Sequence, residues 1–263
     1  MANKRISGTR EWASVNVNCV IGCRHNCRYC FARYNAIVRF KNVKPADWDK
    51  PRINWKEVNK KRPKYDGVVM FPTTHDILPE VLDACLTCLR NLLEAGNDVL
   101  IVSKPHPECI QAICDAFGQY KDHILFRFTI GAINNDILKY WEPGAPSFED
   151  RLTSLRIAYD KGFETSVSAE PMLDMDHAVE LFDTLVQFVT DAIWIGKMNR
   201  INQRVKMVST EDELQVEKIE NSQTDTKVWN VYNTLKDRPQ IKWKESIKEV
   251  VGLPLATEAG LDV

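Results

Sequence analysis

Cys23, Cys27 and Cys30 fall within one short segment, GCRHNCRYCFAR (22–33), at spacing C-x3-C-x2-C. Three thiolates so spaced can wrap a loop around an iron–sulfur cube and ligate three of its irons, leaving the fourth open to a small molecule. A structural zinc ion needs a closed tetrahedral set, usually two separated CxxC or Cys/His pairs, and no second compact pair of that sort follows. Thiols that serve only packing sit singly on apolar faces, unlike three in one loop. Cys19, four residues before Cys23, is the rival. As a fourth ligand it would close the cluster and leave electron transfer or redox sensing as the chemistry; as a strand residue it leaves one iron open. Cys85 and Cys88, with Cys109 and Cys114, pose the question of a second cluster, but helical spacing on core-facing surfaces favours buried thiols.

The elements that must position these groups are legible as alternating short β-branched runs and amphipathic helical patterns, the signature of βαβ units and a parallel sheet. Strands are expected at 14–19, 67–71, 98–102, 124–130, 165–169 and 192–195. Helix faces are expected from Val81, Leu82, Cys85, Leu89 and Leu92; from Ile110, Ile113, Cys114 and Phe117; from Leu152 and Leu155; and from Val179, Phe182, Leu185 and Val189. Six β/α repeats with apolar strands imply an α/β fold, an incomplete TIM-like (β/α)6 barrel, with a flat doubly wound sheet as the alternative. Beyond residue 200 the stretch 209–225 is acidic and polar. Val228, Val231, Tyr232 and Leu235 then suggest a helix, 241–244 a last short strand, 246–251 a helix, and GLPLATEAGLDV an extended tail packed on the body. One domain is the simplest organisation, with a core at about 12–200 and a C-terminal extension at about 201–263.

Barrel enzymes keep their sites at the C-terminal ends of the strands. That rule selects Thr73, Thr74, His75 and Asp76 after the second strand, Ser103 and Lys104 after the third, and Arg127 and Thr129 on the fourth. Ser168 and Glu170 follow from the fifth, and Lys197 and Asn199 from the sixth. The structural alternatives are an Arg127–Glu170 ion pair and His75 as a helix cap.

The chain has 263 residues, 44% of them hydrophobic, enough for a substantial core, and no stretch approaches the roughly 20 apolar residues of a membrane span. The basic N-terminus, MANKRISGTREW, has no apolar run behind it and does not read as a secretory signal. Eight cysteines without such a signal point to a reducing cytoplasm rather than a disulfide framework. The net charge of −1 conceals an asymmetry, since residues 1–65 hold 16 Lys/Arg against 4 Asp/Glu. Between Arg33 and Tyr65, the aromatics Tyr34, Phe40, Trp48, Trp55 and Tyr65 lie among Lys41, Lys44, Lys50, Arg52, Lys56, Lys60, Lys61, Arg62 and Lys64. Cations attract phosphates and aromatic faces stack on bases, the composition of a nucleic-acid or nucleotide groove. A solvated basic insertion anchored by a few aromatics is the alternative.

The cysteine segment resembles the C-x3-C-x-aromatic-C motif of the radical S-adenosylmethionine (SAM) superfamily, with Tyr29 as the aromatic. The resemblance implies a 4Fe-4S cluster whose open iron is chelated by the amino and carboxylate groups of SAM. It implies an electron donor such as flavodoxin or ferredoxin, and reductive cleavage of SAM to methionine and a 5′-deoxyadenosyl radical that abstracts hydrogen from a substrate. It also implies a partial (β/α)6 barrel with the cluster loop after the first strand. GCRHNCRYCFAR, with EPGAPS at 142–147 followed by Arg151 and Leu152, resembles the branch that contains spore photoproduct lyase and the DNA repair photolyase-like proteins. The likeness runs in patches from about Asn16 to Asp174. Within it, Phe126 to Ile130 places Thr129 where a hydroxyl residue contacts SAM, and Val102-Ser103-Lys104 makes Lys104 a partner for the SAM carboxylate. The sequence departs from that branch at 72–77, which has no cysteine where the spore enzyme has its hydrogen donor, so dimer splitting by that route is not expected. The same stretch lacks the Gly-Gly-Glu that many members use for the SAM amino group; Thr73, Thr74 and Asp76 are the substitute acceptors. The substrate is left open, and a non-enzymatic iron–sulfur protein or a nucleic-acid-binding module with a structural cluster remain as competing readings.

Overall fold

The computed structural model describes residues 6–261. The start of the basic N-terminal segment and the last two residues of the expected tail lie outside the described residues. In chain order the regular elements begin with β1 (Val15–Asn16), β2 (Val20–Ile21), α1 (Phe31–Tyr34), β3 (Arg52–Ile53) and α2 (Trp55–Val58). The repeating body follows: β4 (Val69–Phe71), α3 (Leu82–Glu94), β5 (Val99–Ser103), α4 (Pro107–Phe117), β6 (Ile124–Thr129), α5 (Asn135–Trp141), α6 (Phe148–Asp160), β7 (Glu164–Ala169), α7 (Ala178–Leu185) and β8 (Ile193–Ile195). The chain ends with α8 (Ile201–Arg204), α9 (Thr210–Ser222), α10 (Asp225–Leu235), β9 (Ile241–Trp243) and α11 (Glu245–Val251).

One sheet takes its strands in the order β1-β4-β5-β6-β7-β8-β9, all parallel. A doubly wound sheet reverses its strand order at a switch point, and this sheet does not. It is an open barrel, because β1 and β9 are its two edges. The six expected repeats are extended by a seventh strand, β9, the short strand read at 241–244.

Alternation along the strands divides the apolar side chains into two sets. Phe71, Ile101, Phe126, Phe128 and Val167 face outward into the helix layer, where Cys85, Leu89 and Leu92 of α3 and Ile110, Ile113 and Phe117 of α4 cover them. Trp12, Met70, Leu100 and Trp194 fill the barrel interior. The expected first strand is cut to two residues because Asn18 leaves the ladder to cap the turn after β4: its side-chain oxygen accepts from the N–H groups of Thr73 and Thr74, both at 2.8 Å. Val189 lies beyond the end of α7, not on it. The polar stretch at 209–225 is mostly helix α9, with Ser209 capping its N-terminus and Glu211, Asp212 and Glu213 in its first turn, where carboxylates favour the helix dipole. The tail packs on the body, with Gly260 N–H donating to Arg10 O at 2.8 Å.

Candidate active site

The loop between β2 and α1 carries Cys23, Cys27 and Cys30. Its entry is set by Gly22, whose φ of +90° suits glycine and whose Cβ, were there one, would lie 2.6 Å from Trp48 O. The next residue, Cys23, donates its N–H to the same carbonyl at 2.8 Å. Trp48, buried in the basic insertion, therefore anchors the loop rather than offering a stacking face. At the exit Cys30 caps α1, its Sγ accepting from Arg33 N–H at 3.4 Å. Cys23 and Cys27 are buried and Cys30 half-buried. Burial pushes all three thiols up, and for Cys27 the nearby Lys104 ammonium pulls the other way.

Asp76, in the turn after β4, gathers the neighbourhood. It accepts from Lys104 N–H at 2.7 Å, from the Ser103 hydroxyl at 3.1 Å and from the Cys23 thiol at 3.6 Å, and its Oδ2 is 2.8 Å from His25 Nδ1. Burial alone would raise this carboxyl, but Lys104, His25 and these hydrogen bonds prevail and hold it well below the usual range. Cys23, His25 and Asp76 bring one ligand-type atom each within 4.8 Å of one another. His25 in turn reaches His106, nitrogen to nitrogen at 2.9 Å, so a chain of polar side chains runs from Cys23 towards the surface.

On the other side of Lys104, its ammonium is 3.9 Å from Glu142 Oε1 and 5.8 Å from the centre of the Tyr29 ring. The Tyr29 hydroxyl donates to the same Glu142 oxygen, and Arg151 pairs with the other at 2.5 Å. Burial opposes charge on both Lys104 and Glu142. For Lys104 the carboxylates of Asp76 and Glu142 outweigh it, and for Glu142 Arg151 and Lys104 do, so the pair stays ionised.

Tyr29, Lys104 and the three cysteines are thus brought together, with Ser103 as a support for Asp76. Thr129 and Ser168 are register partners on neighbouring strands near the same end of the barrel. Glu170 follows β7 and faces Lys244, 3.5 Å away, not Arg127. Arg127 is a correction. Fully buried, it pairs with Asp191 at 2.9 Å, ahead of β8, and lies against the Trp12 and Trp194 rings, so its guanidinium serves the N-terminal side of the barrel and not the mouth. His75 caps no helix: its Nε2 accepts from Cys19 and Val20 N–H, both at 3.2 Å, and burial lowers it to about 4, so the ring is neutral at pH 7. Thr73 is taken up by Asn18, and Lys197 by a 3.7 Å contact with Asp225. Cys19 turns its sulfur to Cys85, 3.9 Å away, and Cys88, Cys109 and Cys114 are buried. Lys244 was not singled out from the sequence, though it contacts Glu11 at 2.7 Å as well as Glu170. Its only sequence signal was its place as the last residue of the strand expected at 241–244.

The profile of the Radical SAM superfamily matches residues 17–185. The chain belongs to the radical SAM superfamily. The family implies SAM and an iron–sulfur cluster. It is 30% identical over 173 residues to uncharacterized protein ORF301 of Acidianus two-tailed virus, covering 61% of this chain and 56% of that one. It is 25% identical over 177 residues to uncharacterized protein MJ0683 of Methanocaldococcus jannaschii, covering 65% and 66%. The matches therefore span between about half and two thirds of these relatives' lengths. Among solved structures it resembles spore photoproduct lyase complexed with dinucleoside spore photoproduct, with a TM-score of 0.57 at 14% identity over 92% of this chain and 79% of that one. It also resembles Streptococcus suis SuiB, with a TM-score of 0.52 at 10% identity over 94% and 53%. At these identities the likeness is one of fold.

The donor set suits the family's cluster: three thiols in one loop are the ligand chemistry of iron–sulfur clusters. Because burial keeps these thiols protonated, their deprotonation accompanies metal loading. No helix among the described residues is long and apolar enough to cross a membrane.

Proposed function

We propose that Cys23, Cys27 and Cys30 hold a 4Fe-4S cluster and that Lys104, at the end of β5, pairs with the carboxylate of SAM. Thr129, Ser168 and Glu170 line the remaining pocket, and Tyr29 closes it from the cluster loop. The chemistry a bound cluster would supply there is one-electron reduction of SAM, which would yield methionine and a 5′-deoxyadenosyl radical able to abstract hydrogen from a substrate. The observation that carries this reading is the convergence of the three-cysteine loop with a buried, ionised Lys104 at the C-terminal ends of the strands. Lys104 binds and orients SAM, while Asp76 and Glu142 keep the ammonium charged in a partly dry site. A fully ligated electron-transfer cluster would need Cys19, whose sulfur is turned to Cys85. The reductant is an electron donor such as flavodoxin or ferredoxin, and the eight free cysteines favour a cytoplasmic setting.

For the substrate, the reading is a nucleotide or nucleic acid. Phe40 and Trp55 of the basic insertion are 61% and 58% exposed, available as stacking faces beside exposed Lys41 and Lys56. The fold relative that carries a dinucleoside points the same way. The deciding experiment incubates reconstituted, reduced protein with SAM and measures 5′-deoxyadenosine. Its release is expected; a reconstituted cluster that accepts electrons yet leaves SAM intact would overturn the reading.

A further inference from the structure

The cysteine loop is shaped from outside as well as by its own turns. Arg28 N–H donates to Trp141 O at 2.9 Å, and Gly144 N–H donates to His25 O at 3.1 Å. The Arg28 guanidinium adds a bond to Tyr140 O at 2.7 Å, and the Tyr29 hydroxyl reaches Glu142. These contacts come from the end of α5 and the turn after it, and they fall on 24–29, between the first and last cysteines. At Gly144 the two backbones touch: a Cβ there would lie 2.3 Å from Arg24 O and 3.1 Å from both Arg24 C and His25 Cα. A side chain cannot be accommodated without one backbone moving.

The turn is itself fixed from behind. Glu142 N–H donates to Leu138 O at 2.7 Å and Ala145 N–H to Glu142 O at 2.9 Å. Arg151, fully buried on α6, pairs with Glu142 and donates to Pro146 O at 2.9 Å and Thr129 O at 3.2 Å. A capping box of Ser147 and Asp150 starts that helix. One face of the turn is therefore tied to the barrel wall at β6 and the other to the cysteine loop.

We propose that the turn at 141–144 is a mould that pre-shapes the cysteine loop for its iron–sulfur cluster, with Gly144 and Glu142 as positioning residues. This rests on Cys23, Cys27 and Cys30 being the ligands. Neither residue needs to touch the cluster. Gly144 sets how closely the backbones approach, and Glu142 latches the loop through Tyr29. A loop already held in its liganded shape loses less conformational freedom when it takes up the cluster, and it releases iron more slowly once loaded.

The test compares wild type, Gly144→Ala and Tyr29→Phe after anaerobic reconstitution, with Gly118→Ala as a control because a Cβ there meets nothing within 4 Å. The readouts are the rate of iron loss to a chelator, the paramagnetic resonance spectrum of the reduced cluster, and the circular dichroism and thermal midpoint of the apo-protein. Gly144→Ala is expected to lose iron about tenfold faster, the scale on which outer groups act on metal sites, with an altered resonance line shape and an apo-protein folded as wild type. Tyr29→Phe should move the same way by less, and the control should not move. A folded Gly144→Ala protein that retains iron as wild type does overturns the proposal. Should Gly144→Ala fail to fold, Tyr29→Phe decides, and wild-type iron retention in that variant overturns it equally. Wild-type protein that takes up no iron would remove the ligand assignment beneath the proposal, which is a different result from a loaded wild type and an unaffected variant.

Discussion

The Lys104 ammonium lies 3.9 Å from the Glu142 carboxylate, and Arg151 holds the other Glu142 oxygen at 2.5 Å. Glu142 is thereby neutralised twice, and Lys104 can turn some of its hydrogens to a second anion without leaving Glu142 alone.

Lys104→Ala should therefore fold, keep its iron, and bind SAM more weakly by about tenfold to a hundredfold, the range of a charged hydrogen bond. Calorimetric titration of reconstituted protein measures this. Unchanged affinity would remove Lys104 from the pocket.

Replacing Cys23, Cys27 or Cys30 by Ala should abolish cluster absorbance, while Cys19→Ala should retain close to four irons. Cys19 contributes to packing against Cys85, so its truncation should lower the thermal midpoint slightly. A Cys19→Ala protein without a cluster would restore the electron-transfer alternative.

Burial, together with a hydrogen bond that its protonated carboxyl donates to Glu245, pushes Glu11 up to about 8, against the pull of Lys244. A carboxyl raised on folding contributes stability that is complete below its unfolded value of 4.5 and is lost as pH rises through about 8. Thermal midpoints of the wild type should thus fall between about pH 5 and pH 9, and Glu11→Gln should flatten that slope. A slope identical in both proteins would count against the assignment.

Arg127→Met should cost about 1.5–3 kcal/mol, the range of a charged hydrogen bond, since it removes the 2.9 Å bond to the partly exposed Asp191, yet leave SAM affinity of the folded protein unchanged. Denaturant unfolding and SAM titration together check both halves, and a selective loss of SAM binding would return Arg127 to the pocket.

In the insertion, Arg62 is nearly inaccessible, at 3% side-chain exposure, and pairs with Glu57, so it is unavailable to a phosphate. Trp55→Ala combined with Lys56→Ala and Lys61→Ala should weaken single-stranded oligonucleotide binding and flatten its salt dependence by about 0.7 per lost charge. Absence of salt-sensitive binding in the wild type would leave the insertion a solvated surface.

The barrel and the cysteine loop were legible because each rests on a local signal, strand–helix periodicity in one case and ligand spacing in the other. Lys104 was found through its place after a strand. Arg127 misled for a related reason: alternation puts it on the inner face, but sequence does not say how deep on that face a side chain sits, and Asp191 lies 64 positions away. The helix at Thr210–Ser222 escaped because only Asp212, Val216 and Ile219 of it are buried, too few for an apolar stripe. Glu142 and Arg151 stood inside a recognisable motif, but the contact of Glu142 with Tyr29 spans 113 positions and belongs to the tertiary fold.

Lys244 Nζ donates to Gly8 O across 236 positions, and its ammonium sits 4.0 Å from the centre of the Trp12 ring. On a ribosome the segment around Trp12 emerges ahead of Lys244 and waits for it while nearly all the intervening chain is made, at roughly 5–20 residues per second. The cysteine loop leaves the exit tunnel just behind it. For many seconds its thiols are thus presented on a nascent chain whose barrel lacks its last strand, and iron delivered in that interval would meet a site without its finished walls.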